Sequence, residues 1–169
     1  MRTAILILLS LLALLGLLIG IAALIGSRLP IAHVATRSIV LQRPVDEVYK
    51  LVRDVQNTPS WRSDVKSVEL FCEKNGKLNY REHGSQGDVT YELVEDVPNQ
   101  EIVARIVDQD LGYSGTWTTT FVTENHGTRV TVTENGEVSN VMFRFMSRYV
   151  FGHTATIDGY LKSLAKHFG

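Results

Sequence analysis

Arg105 stands inside Ile102-Val103-Ala104-Arg105-Ile106-Val107, an otherwise apolar run. A guanidinium turned into a protein interior needs an anionic partner, because an unpaired buried charge is costly. That partner is a protein carboxylate or the head group of a ligand; turned outward, the same arginine is a solvated strand charge. His33, His83, His126, His153 and His167 show no i, i+4 pairing, and Cys72 is the single cysteine. Neither a metal site nor an intramolecular disulfide is therefore expected. Glu82-His83 has the composition of an acid–base pair, but neighbours along a strand point to opposite faces. His153 is placed where it can face an interior from a C-terminal helix. The chain contains no nucleophile elbow, papain-like cysteine, P-loop or G-x-G-x-x-G, so no catalytic residue is named and no cofactor is expected. A net charge of −1 gives no reason to expect nucleic-acid binding.

The aromatic residues carry more information. Tyr113, Trp117 and Phe121 share one strand parity, and Tyr91 shares that of the preceding hairpin with Leu93. Tyr80, Arg105, Trp61, Phe145, Tyr149 and His153 complete a candidate lining for a ligand cavity. Such a pocket is mainly apolar with a few placed polar groups. The competing reading is that these rings only fill a core.

Several elements must position these residues. Residues 33–42 alternate Val34, Thr36, Ser38 and Val40 with Ala35, Arg37, Ile39 and Leu41, which predicts a first strand. Pro44 followed by Asp46 and Glu47 opens a helix, with Val45, Val48, Val52 and Val55 on its apolar face. Asn57-Thr58-Pro59-Ser60-Trp61 marks a break and one further helical turn. Six strands follow, at about 65–73, 77–83, 88–97, 101–108, 113–123 and 128–134. Asn75-Gly76 is the strongest hairpin signal, and Asn135-Gly136 is expected to close the last strand. Residues 139–168 have helical periodicity, with Ser139 or Asn140 as N-cap and a break at Gly152. Met142, Phe145, Met146, Tyr149 and Val150 form one stripe, which Ile157, Tyr160, Leu161, Leu164 and Phe168 continue.

The apolar residues, 44% of the 169-residue chain, are unevenly spread. Residues 4–26 carry no charge, and all the aromatics come later. As a helix the run is about 35 Å long, enough to cross a hydrocarbon core of about 30 Å. Its length and the poor cleavage site at Ile25-Gly26-Ser27-Arg28 favour an uncleaved single-pass anchor over a secretory signal. A buried core helix is disfavoured because the run is apolar on every side. Residues 1–29 are therefore read as anchor and 30–169 as one domain, with a bacterial inner membrane as the expected location. Arg28, Arg37 and Arg43 against Arg2 tilt the domain towards the cytoplasm by only one or two charges, so its side stays open. Gly16 and Gly20 form a G-x-x-x-G face suited to a homodimer.

The order strand, two short helices, six-strand meander, long helix resembles the α+β helix-grip fold, START-like or Bet v 1-like. Ser38-Ile39-Val40-Leu41-Gln42-Arg43-Pro44-Val45-Asp46-Glu47-Val48-Tyr49 resembles the strand-to-helix entry of the polyketide cyclase/dehydrase and lipid-transport branch of the SRPBCC superfamily. Asp54 with Pro59-Ser60-Trp61, Gly115-Thr116-Trp117, Gly127-Thr128-Arg129-Val130-Thr131 and Tyr160-Leu161-Lys162-Ser163-Leu164-Ala165-Lys166 are similar to its later motifs. The resemblance covers residues 33–168, and the N-terminal anchor is an addition to it. It implies a seven-stranded antiparallel sheet wrapped on the C-terminal helix, with a cavity between them for a hydrophobic small molecule or lipid. Three functions remain open: a membrane-tethered ligand-binding module, a cyclase/dehydratase-type enzyme, and a tethered interaction or scaffold protein.

Overall fold

The computed structural model describes residues 2–72, 77–85 and 87–169. The expected Asn75-Gly76 hairpin, and Gln86 in the next turn, lie outside the described residues. Helix α1 spans Arg2–Arg28. It is followed by β1 (Ala32–Leu41), α2 (Val45–Arg53), a 3-10 turn (Val55–Ser60), β2 (Val65–Cys72), β3 (Leu78–Gly84), β4 (Gly87–Val97) and β5 (Glu101–Ile106). Then come β6 (Tyr113–Glu124), β7 (Gly127–Val138), α3 (Val141–Met146), a π-helical turn (Ser147–Phe151) and α4 (Ala155–Phe168).

The strands form one antiparallel sheet in the order β1-β7-β6-β5-β4-β3-β2. The α+β helix-grip architecture is as expected. Alternation assigns each residue to a face. Val130 lies opposite both Ile39 and Phe121, and Trp117 lies opposite both Ala104 and Glu134. These residues share the inner face, where Ile157, Leu161 and Leu164 of α4 and Val48 and Val52 of α2 close the core. A bulge between Leu93 and Glu95 shifts the parity of β4. Asp96 rather than Glu95 thereby reaches the inner face, where Tyr49 and Arg53 both donate to it.

Two expectations need correction. Asn135-Gly136 does not end the last strand; β7 continues to Val138, with Gly136 opposite Gly115 and His33. Strands flank this dipeptide on both sides, so its backbone pairs instead of turning. A Cβ on Gly136 would lie 2.4 Å from the His33 ring, so the imidazole occupies the space of the missing side chain. By contrast, the break expected at Gly152 within residues 139–168 is present. Asn140 caps α3 by accepting from the Phe143 amide at 3.0 Å, and the helix opens into a π turn that ends at Gly152, whose φ of 80° suits glycine. Finally, Tyr149 and Val150 are exposed instead of joining the core.

Helix α1 is long and apolar enough to cross a membrane, and its apolar window buries nothing within the protein. It touches the domain near its C-terminal end, where Gly26 is buried against α3.

Candidate functional site

The inner face carries a buried charge pair among aromatic rings. Arg62 follows the 3-10 turn, whose Thr58 carbonyl accepts from the Trp61 and Arg62 amides. This turn aims Arg62 at Glu82 of β3. Its Nη1 donates to both Glu82 carboxylate oxygens, at 3.0 and 3.1 Å, and its Nη2 donates to Asp64 Oδ2 at 2.7 Å. Glu82 is only 8% exposed. Burial pushes its carboxyl above the usual carboxylate range, and the Arg62 charge opposes that rise. Burial alone would weaken the Arg62 cation, but the hydrogen bond to Asp64 and the charge of Glu82 outweigh it and hold the guanidinium charged.

Aromatic rings surround the pair. Tyr80 and Tyr91, opposite each other on β3 and β4, stack at 5.3 Å. Tyr160 of α4 meets Trp61 edge-on at 5.3 Å and Trp117 at 5.8 Å, and its ring lies 5.7 Å from the Arg62 guanidinium carbon. Burial raises the phenol pKa of all three tyrosines. The buried Trp61 Nε1 finds no hydrogen-bond partner among the described residues.

A second cluster lies towards the α3 end. His33 and His153 stack at 4.4 Å, and His33 Nε2 is 3.5 Å from Glu134 Oε1. Burial lowers the pKa of both imidazoles and raises that of Glu134. Among the described residues, no group of three or more His, Cys, Asp or Glu is arranged to hold a metal ion.

Of the residues proposed from sequence, Trp61, Tyr80, Tyr91, Trp117 and Phe121 come together on the inner side. Tyr113 is half-buried at the α3 end of β6, and His153 rests on His33. Arg105 does not join them. Ala104 and Ile106 take the inner parity of β5, so Arg105 faces outward and donates to Glu92, which Lys77 also contacts at 2.8 Å. Phe145 and Tyr149 pack on each other at 5.3 Å on α3 and the π turn, away from the charge pair. Glu82 and His83 part as strand alternation requires, His83 pairing with Asp88 at 2.9 Å. Arg62, Tyr160, His33 and Glu134 were not singled out as site residues. A carboxylate at the inward parity of Tyr80 was a readable signal for Glu82; Arg62, from an irregular segment, had none.

The space between sheet and α4 is thus occupied by Trp61, Trp117 and Tyr160. An open groove of about 300 Å3 lies instead between α2 and the β2–β3 edge, lined by Tyr49, Arg53, Leu70 and Leu78 among others.

Fold and interior define the class: a START-like, helix-grip domain with an aromatic inner wall. The chain belongs to the family described as polyketide cyclase/dehydrase and lipid transport, whose model matches residues 32–169. Solved structures share the fold at low identity. The di-domain aromatase/cyclase StfQ of the steffimycin biosynthetic pathway matches with a TM-score of 0.66 at 15% identity, over 82% of this chain and 50% of that one. This chain therefore spans about half of StfQ. A START superfamily protein from Mycobacterium smegmatis matches with a TM-score of 0.64 at 15% identity, over 80% of this chain and 97% of that one. TTHA0849 from Thermus thermophilus matches with a TM-score of 0.65 at 19% identity, over 80% and 97%. No curated protein sequence matches the chain.

Proposed function

We propose that this protein is a single-pass membrane protein whose domain, residues 30–169, binds a hydrophobic small molecule or lipid between the sheet and α4. The carrying observation is the buried Arg62–Glu82 pair set in a wall of tyrosine and tryptophan. Apolar rings favour an apolar body, and the charge pair offers donor and acceptor to one polar end. Membership of a family that includes lipid transport supports the reading. Helix α1 supplies the tether, in the inner membrane of a bacterial cell. Gly16 and Gly20 have open space around them, which leaves room for a second copy of α1.

The rings now filling the site must turn aside for a ligand to enter. Both tryptophans of the chain, Trp61 and Trp117, touch Tyr160. Tryptophan emission therefore reports on this space directly. Native mass spectrometry of the full chain, extracted from membranes in detergent, should release an apolar adduct on unfolding. Adding that compound to stripped protein should shift the emission. A chain free of adducts whose emission ignores a panel of lipids and isoprenoids would overturn the reading.

A second reading, a cyclase/dehydratase-type enzyme, is favoured by one observation: the carboxyl of Glu82, raised by burial, lies beside phenols. It draws support from the structural likeness to the aromatase/cyclase StfQ. Chemical conversion of the bound compound, lost in Glu82→Gln with binding retained, would separate it from simple binding.

A further inference from the structure

The segment after the sheet, Val141–Phe151, reads VMFRFMSRYVF: eight apolar or aromatic residues, two arginines, one serine and no acid. It leaves Phe143 48%, Tyr149 59%, Val150 57% and Phe151 65% exposed. No other strongly exposed phenylalanine, tyrosine or tryptophan occurs among the described residues. The exposed aliphatic residues elsewhere in the domain are scattered along strands and at their ends, which needs no special explanation. A cluster of this kind does.

The position of the cluster supplies its partner. Gly26, near the C-terminal end of the uncharged run of α1, lies so close to α3 that an added Cβ would stand 2.3 Å from the Val141 carbonyl oxygen. Arg144 Nη1 donates to the Leu29 carbonyl at 3.5 Å. Only residues 29–31 separate α1 from β1, a span of about 10 Å at most. Thus α3 starts at the depth of the last apolar turn of α1. If α1 crosses a bilayer, this segment meets the layer where acyl chains give way to head groups. Its composition suits that layer: aromatic rings settle at the interface, and arginine pairs with lipid phosphate.

We propose that Val141–Phe151 is a second membrane contact, lying along the bilayer surface beside α1. Phe143, Tyr149, Val150 and Phe151 enter the acyl boundary, and Arg148 meets the phosphates. The domain is then held by a pivot and a footing instead of swinging on a tether. The footing ends at Gly152-His153, so the His33–His153 end of the inner face is the end nearest the lipid.

This rests on the anchored reading of α1, and one experiment separates the two. The full chain, with Cys72 replaced by serine, carries a single environment-sensitive fluorophore at Leu12→Cys, Phe143→Cys, Phe151→Cys or His126→Cys. It is reconstituted in vesicles of equal phosphatidylcholine and phosphatidylglycerol. Lipids bearing a quencher high on the acyl chain are compared with lipids bearing it deep. The label at 12 should be quenched by the deep lipid. Labels at 143 and 151 should be quenched by the shallow lipid about threefold more than the label at 126, at the far end of the domain. A quenched label at 12, with labels at 143 and 151 no more quenched than at 126, overturns the footing and leaves the anchor standing. An unquenched label at 12 overturns both.

Discussion

Burying Glu82 under tyrosine rings is tolerable only with a cation in reach, and Arg62 is that cation. The pair is asymmetric: Arg62 also holds Asp64, which is half exposed, whereas among the described residues Glu82 has no second cation in contact. Removing one partner of a buried pair costs about 3–5 kcal/mol, because the survivor stays desolvated, while removing both costs far less. Arg62→Met should therefore destabilise the full chain in detergent by about 3 kcal/mol. Glu82→Met should cost less, because Asp64 still partners the arginine, and the double variant should recover most of the loss. The cost of Arg62→Met should also shrink on moving from pH 7 to pH 5. Stripped of its cation, Glu82 takes up a proton and ceases to be a buried charge. Denaturant titration followed by circular dichroism tests this; additive single effects would refute the coupling. Only half of this pair is legible from strand parity. Strand parity puts Glu82 on the face of Tyr80, but no periodicity links Arg62 to a strand 20 residues later.

At the scale of elements, what read well was what repeats. Alternation located β1, β6 and the start of β7, and proline with two acids opened α2. Legibility failed where a local signal met a tertiary demand. Asn135-Gly136 has turn chemistry, yet pairing with β1 and β6 on either side holds it in the sheet, and the His33 ring fills the space beside Gly136. The C-terminal helical stripe is a sum of two helices with different duties, and periodicity cannot mark the π turn that lets Tyr149 and Val150 leave the core. The contact between α1 and α3 is equally hidden, since nothing in the apolar run sets Gly26 apart as a packing position. A side chain there must displace the Val141 backbone, and overpacking of this kind costs about 1–3 kcal/mol. Gly26→Val should therefore loosen α3, raising hydrogen exchange of the 141–146 amides in detergent. Gly16→Val and Gly20→Val, with nothing within 4 Å, should leave those amides unchanged. Equal exchange in all three variants would show that α3 does not depend on the anchor.

For the whole molecule, near-neutral net charge hides groups that pull stability in opposite directions as pH changes. Glu82 and Glu134 have folded pKa values above the ordinary carboxylate value, through burial. The folded state thus holds their protons more tightly, and acidification towards those values strengthens the fold. His33 and His153 are lowered from 6.5, again by burial first. For them the unfolded chain binds the proton better, so their contribution is full above 6.5 and is lost as pH falls through that value towards their folded pKa. The two carboxyls and the two imidazoles partly cancel in any measurement on the native sequence. Substituting one imidazole exposes its share. His153→Gln removes a group that must stay neutral against His33 and near Arg148. Whatever its effect at pH 7.5, the native chain should lose stability relative to this variant as pH falls from 7.5 to 5.5. Denaturation midpoints of the two proteins, measured in detergent at several pH values across that window, give the difference directly. A gap that stays constant would mean that His153 titrates alike in folded and unfolded chains, and so that its place against His33 excludes no proton.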